Sequence, residues 1–148
     1  MIDDLYSDRI LRLAANMPRS GRLPAPDGTA EKTAKLCGSR IVVDVRLEDG
    51  RIVDYAQDVQ ACALGQAAAA VLGANAVGAT VAEIEAARAA LRAMLKNDGP
   101  VPGGRFADLA VLEPVKAFPA RHASTMLAFE ATAAAITAAE SRAAPAVA

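Results

Sequence analysis

At 148 residues and 53% apolar composition, the chain is long enough to bury a core without covalent staples and reads as one domain. A net charge of −1 and a pI near 5.8 do not suggest a polyanion partner, and 3% aromatic residues leave little for base stacking, so no nucleic-acid partner is expected. The start, Met1-Ile2-Asp3-Asp4, has no export-signal pattern, and the longest apolar run, Ala67 to Gly73, is far short of a membrane span. The expected setting is therefore a reducing cytoplasm with both cysteines as free thiols and no membrane partner.

Along the chain, Ile2, Leu5, Tyr6, Ile10, Leu13 and Met17 fall at helical spacing, predicting an amphipathic helix over 2–17 that ends before Pro18. The Pro- and Gly-rich stretch from Pro18 to Gly28 reads as a loop. A weak strand pattern lies within Ala30 to Leu36. Ile41, Val43, Val45 and Leu47 then alternate with Val42, Asp44 and Arg46, the period of a half-buried strand. Asp49-Gly50 supplies a tight turn, and a second hairpin strand follows from Arg51 to about Val59, with Val53, Tyr55 and Val59 expected on one face and Gln57 interrupting it.

From Cys62 the pattern turns helical, with Leu64, Ala67, Ala68, Val71 and Leu72 on one face. Thr80-Val81-Ala82-Glu83 matches a capping box, opening a helix that ends near Asn97-Asp98-Gly99-Pro100. A short turn from Phe106 to Leu112 leads to a last helix beginning near His122. The expected fold class is α+β: a small antiparallel sheet of about three strands packed against several helices. The domain is placed at residues 1–140, with 141–148 read as a disordered tail.

Cys37, Cys62 and His122 are the cysteines and the histidine of this chain, and each falls at the edge of a predicted element. Thiolate and imidazole are the ligands that zinc and iron clusters prefer. Cys62 opens a helix, where free amides favour anionic sulfur, and His122 stands at another helix start. Spacing by itself leaves a second reading open, because free cysteine also behaves as a small buried hydrophobe and a lone histidine as a cap or surface residue.

At these residues the chain resembles the IscU/SufU/NifU amino-terminal family of iron–sulfur cluster assembly scaffolds, over about Leu5 to Ile136. The resemblance is carried by Asn16-Met17-Pro18-Arg19-Ser20-Gly21, by Cys37-Gly38-Ser39 before an alternating strand, by Gly50-Arg51-Ile52-Val53-Asp54-Tyr55-Ala56, and by Cys62 opening a small-residue helix. Near the end, Leu112-Glu113-Pro114-Val115-Lys116 and His122-Ala123-Ser124-Thr125-Met126-Leu127 resemble the IscU branch. Phe118-Pro119-Ala120-Arg121 resembles the SufU branch. The chain departs from the family twice. Ser39 stands where members carry Asp, and the third cysteine is replaced by Ala123 or Ser124, according to the alignment.

The resemblance implies an IscU/NifU-like fold and a scaffold or carrier rather than an enzyme, with no catalytic residue. Cys37, Cys62 and His122 would bind iron or a [2Fe–2S] cluster, with zinc as the other candidate metal. The implied partners are a cysteine desulfurase, acceptor apo-proteins and a chaperone reading Glu113-Pro114-Val115-Lys116. Two other functions are carried alongside: a zinc-dependent sulfur relay of the SufU kind, and a metal-free adaptor that kept the fold.

Overall fold

A computed structural model describes residues 7–35 and 38–143. Its described elements run α1 (Asp8–Ala15), β1 (Gly28–Ala34), β2 (Ser39–Glu48), β3 (Arg51–Gln60), α2 (Ala63–Asn75), α3 (Val81–Lys96), a 3₁₀ segment (Gly104–Ala117), a single 3₁₀ turn (Pro119–Arg121) and α4 (His122–Ala143). The strands form an antiparallel meander in the order β1-β2-β3, so the fold is α+β as expected.

The β2–β3 hairpin closes through Asp49 and Gly50, both with positive φ (52° and 74°), the geometry of a two-residue turn that follows the twist of the strands. Its register shifts just beyond the turn. Arg46 pairs with Asp54 but Leu47 pairs with Ile52, leaving Val53 as an extra residue. This bulge reverses the inside–outside phase. Ile52 is fully buried and Val53 is 40% exposed, which corrects the expectation that Val53 shares the core face of Tyr55. Strand β1 also begins earlier than its pattern suggested, at Gly28. A side chain there is excluded because a Cβ would lie 2.1 Å from the Ala135 carbonyl oxygen of α4.

The free edge of β3 is covered rather than left open. Gly21 donates to the Gln57 carbonyl and Gln57 donates to the Arg19 carbonyl, both at 2.9 Å. Further along, Ile52 donates to Ala79 and Val81 donates to Gly50, also at 2.9 Å. Pairing with these two loops removes a row of unsatisfied edge groups.

From Gly21 the chain crosses the outer face of the sheet and is pinned at its middle by Asp44, whose side chain is fully buried. Asp44 accepts from Arg22 Nε at 2.6 Å, from the Leu23 amide at 3.0 Å and from the Thr29 hydroxyl. Burial opposes its charge, but these bonds and the Arg22 cation outweigh burial and hold the carboxyl below its ordinary range.

The opposite face carries the core. Residues Ile41, Val43, Val45 and Tyr55 meet α4 and α2, including the buried Leu64, Leu72, Phe129 and Ile136. One polar network is sealed inside. The Tyr55 hydroxyl meets Thr132 at 2.9 Å and Gln57 Oε1 at 3.2 Å, while Gln57 Nε2 donates to the carbonyls of Pro18 (3.1 Å) and Ala69 (2.9 Å). Burial pushes the Tyr55 hydroxyl's pKa upward. The network ties the loop after α1 to β3, α2 and α4.

Helix boundaries follow the sequence signals. Ser7 caps α1 by accepting from the Ile10 amide, and residues 2–6 of the expected first helix lie outside the described residues. Both bonds of the Thr80–Glu83 capping box form, at 3.0 Å each. Helix α4 starts at His122 and continues to Ala143, three residues into the segment read as a tail; 144–148 lie outside the described residues.

The stretch expected to be a short turn is instead a long 3₁₀ segment, broken only at Phe106. Its buried residues are Phe106, Leu109, Leu112 and Val115. A spacing of three matches the 3.0 residues per turn of a 3₁₀ helix, so one apolar stripe faces the core along the whole length. Phe106 meets Phe129 of α4 edge to face, ring centres 5.8 Å apart.

Candidate functional site

The end of β3, the end of β1, the start of β2 and the start of α4 meet at one end of the sheet. Arg40 pairs with Gln60, the last residue of β3, and Ala34 pairs with Ser39. Cys62 therefore emerges beside the beginning of β2. Just before β2, Gly38 has φ +70° and its amide donates to the Ala34 carbonyl at 2.9 Å. Cys37 lies outside the described residues. Ser39, at the position where the family carries Asp, is buried.

Cys62 is the N-cap of α2, in extended conformation with φ −67° and ψ 170°. It is a free, half-buried thiol, packed against the edge of the core while keeping an exposed fraction. Its Sγ lies 3.5 Å from the Ser124 hydroxyl on the first turn of α4. Gly65 permits this approach, since a Cβ there would stand 3.0 Å from the Ser124 carbonyl oxygen.

The proton inventory of the pair follows from chemistry. The Ser124 hydroxyl donates to the Arg121 carbonyl at 3.2 Å, and Thr125 donates to the same carbonyl at 2.7 Å. With its proton so committed, Ser124 accepts the Cys62 S–H. If the sulfur loses its proton, the Ser124 hydroxyl can turn toward it, because Thr125 continues to satisfy the Arg121 carbonyl.

His122 is buried, with Nε2 3.0 Å from the Val115 carbonyl. A carbonyl only accepts, so Nε2 carries a proton and Nδ1 is the nitrogen left available as a lone-pair donor when the ring is neutral. A backbone carbonyl holding one ring nitrogen is how ligating histidines are commonly oriented. Two residues along a helix amount to about 200° of rotation, so His122 and Ser124 leave α4 on different sides. Ser124 is the one that reaches Cys62. His122 lines a cavity with Lys32, Arg92 and Met126. Among the described residues no group of three His, Cys, Asp or Glu side chains is arranged to hold a metal ion.

Ser124 is the contact that residue-level reasoning did not single out as part of the site. The signal was present as one of two registers for the missing cysteine. Among the described residues, no helix is long and apolar enough to cross a membrane.

Comparison with known proteins agrees with this architecture. The model of the NifU-like N terminal domain matches residues 5–125. The N-terminal part of a nitrogen-fixing NifU-like protein from Brucella abortus is 50% identical in sequence. Its crystal structure superposes with a TM-score of 0.93, covering 96% of this chain and 99% of that one. A protein from the thermophile Fervidobacterium islandicum AW-1, described as a candidate iron–sulfur cluster assembly scaffold for the SUF system, shares the fold at TM-score 0.80. It is 19% identical, with coverage of 87% and 94%. No curated protein matches the chain. With the family model spanning most of its length, and with the meander, the Cys62 helix start and the α4 start in their places, the chain belongs to the NifU-like N-terminal domain family.

Proposed function

We propose that this protein is a carrier in iron–sulfur cluster assembly, taking up iron and sulfur at Cys62 together with Cys37 and His122 and releasing the product to acceptor apo-proteins. The observation that carries this reading is the half-buried Cys62 thiol at a helix start, facing a hydroxyl that can reorient toward it. Family membership supports the scaffold role. A cysteine desulfurase is the proposed source of sulfur, and a chaperone reading Glu113-Pro114-Val115-Lys116 a further partner.

The chemistry at the site follows from its residues. Cys62 supplies thiolate sulfur, the donor that iron and zinc prefer. His122 supplies imidazole, but Val115 holds it toward the neighbouring cleft, so the ring must swing about the head of α4 to join cargo at Cys62. Contact with Cys62 favours the ungapped correspondence, in which Ser124 stands for the third cysteine of the SufU branch. A neutral hydroxyl binds soft metal far less well than thiolate, so cargo at this site is held weakly and passed on readily. The same substitution weighs against a SufU-like relay in which the third thiol carries persulfide.

Anaerobic reconstitution with ferrous iron, sulfide and a cysteine desulfurase tests the reading. Sulfur-to-iron charge-transfer absorption should develop in the unaltered protein and disappear in Cys62→Ser and Cys37→Ser variants. Failure of the unaltered protein to take up iron, or a spectrum indifferent to Cys62→Ser, would refute it. Zinc retention with persulfide on one cysteine would support the relay instead.

A further inference from the structure

On the side of α4 away from Cys62, a cleft of about 300 Å³ opens between β1, α3 and α4. Lys32 from β1 and Arg92 and Lys96 from α3 stand around it, and Ala123, Met126 and Leu127 of α4 form its floor. In a chain whose net charge is −1, several cations are matched by an acid, among them Arg9 with Asp108, Arg22 with Asp44, Arg40 with Glu31, Arg105 with Glu83 and Lys116 with Asp98. Lys32, Arg92 and Lys96 are exposed and, among the described residues, none of them pairs with a carboxylate. One carboxylate lines the cleft, Glu130, which shares Arg88 with Glu85 (3.0 and 3.2 Å), so the three cations outnumber the acid that faces them.

We propose that this cleft docks an acidic segment of a partner protein, its carboxylates meeting Lys32, Arg92 and Lys96 and an aliphatic side chain seated on Ala123, Met126 and Leu127. The size argues for a segment laid across the cleft. About 300 Å³ is the lower limit for cavities that enclose a small ligand, and the charges stand on an exposed rim, where they steer and orient a partner of opposite sign. An acidic and aliphatic peptide matches both the rim and the floor. Cys62 and Ser124 take no part in the cleft, but His122 of the proposed cargo site lines it beside Ala123 and Met126, so the peptide test is run on metal-free protein, where binding does not depend on cargo.

The test is fluorescence anisotropy with a labelled peptide of alternating Glu and Leu, its Lys–Leu counterpart and an all-Glu peptide. The Glu–Leu peptide should bind, and the R92E/K96E double variant should weaken it about tenfold or more, as should raising the salt well above physiological strength. Arg46→Glu, on the outer face of the sheet, should leave binding unchanged. Both α3 positions are exposed, so the double variant should keep the thermal midpoint of the parent. Equal binding of the Lys–Leu peptide, an unaffected double variant, or no binding at all would overturn the proposal. Equal binding of the all-Glu peptide would overturn the apolar seat and leave a site for bare anions.

Discussion

Replacing Asp44 by Asn tests whether the strap over the outer face of the sheet is held by charge. The amide keeps the shape of the carboxylate, but one of its two arms becomes a donor. It cannot accept from all of Arg22, Leu23 and Thr29, which converge on Asp44 in the native protein. Hydrogen bonds to a charged group contribute roughly 1.5–3 kcal/mol each, so losing one of the two internal bonds, from Leu23 or Thr29, should cost about that much near pH 7. Arg22 is 53% exposed, so solvent screens its ion pair and no further stabilisation is assigned to it. The pH dependence has a definite sign. The folded-state pKa lies below the ordinary value of 3.8, so the carboxylate stabilises the fold fully above about pH 4, and that stabilisation drains away as pH falls through the folded value. Denaturant unfolding at a series of pH values should show a gap between parent and Asp44→Asn that is widest at neutrality and narrows below pH 4, with slopes unchanged. A gap under about 1 kcal/mol at pH 7, or one of constant size from pH 7 to pH 3, would refute the reasoning.

Three further outcomes follow from single contacts. Gly28→Ala drives a Cβ to 2.1 Å from the Ala135 carbonyl oxygen and 2.5 Å from the Ala139 amide nitrogen, backbone atoms that cannot turn aside. A loss of about 3 kcal/mol, seen as a fall of roughly 6–12 °C in melting temperature, is expected; an unchanged melt would mean that α4 does not lie so close to β1. Thr80→Ala removes the hydroxyl that accepts from the Glu83 amide and should cost about 1 kcal/mol by denaturant titration. Ser124→Cys sets a second sulfur against Cys62 and should raise the iron or zinc retained per chain, measured by elemental analysis after identical loading. Metal content equal to that of the parent would show that this contact is not part of a metal site.

Signals local in sequence carried over well. Asp49-Gly50, the Thr80–Glu83 box and the starts of α2 and α4 each depend on neighbouring residues, and each stands where its pattern put it. What could not be read depends on residues far apart. Ile52 and Val53 are both β-branched and apolar, so hydropathy alone does not reveal which of them the bulge turns inward. Asp44 alternates with valines and reads as a solvent-facing residue, yet Arg22 and the loop it belongs to cover it from 22 positions away. Ser124 reaches Cys62 across 62 positions of chain. The 3₁₀ segment escaped because its apolar period is three, between the periods that mark strands and ordinary helices.

That period has a consequence for how the family can vary in length here. Adding or removing one residue between Phe106 and Val115 would swing every downstream side chain by about 120°, taking the apolar stripe out of the core. The Val115 carbonyl would lose its place at His122 in the same event. A change of three residues would preserve both. Homologous chains that keep a histidine at the head of the last helix should therefore differ over this stretch by whole turns, and one differing by a single residue should have recruited another acceptor to orient the ring.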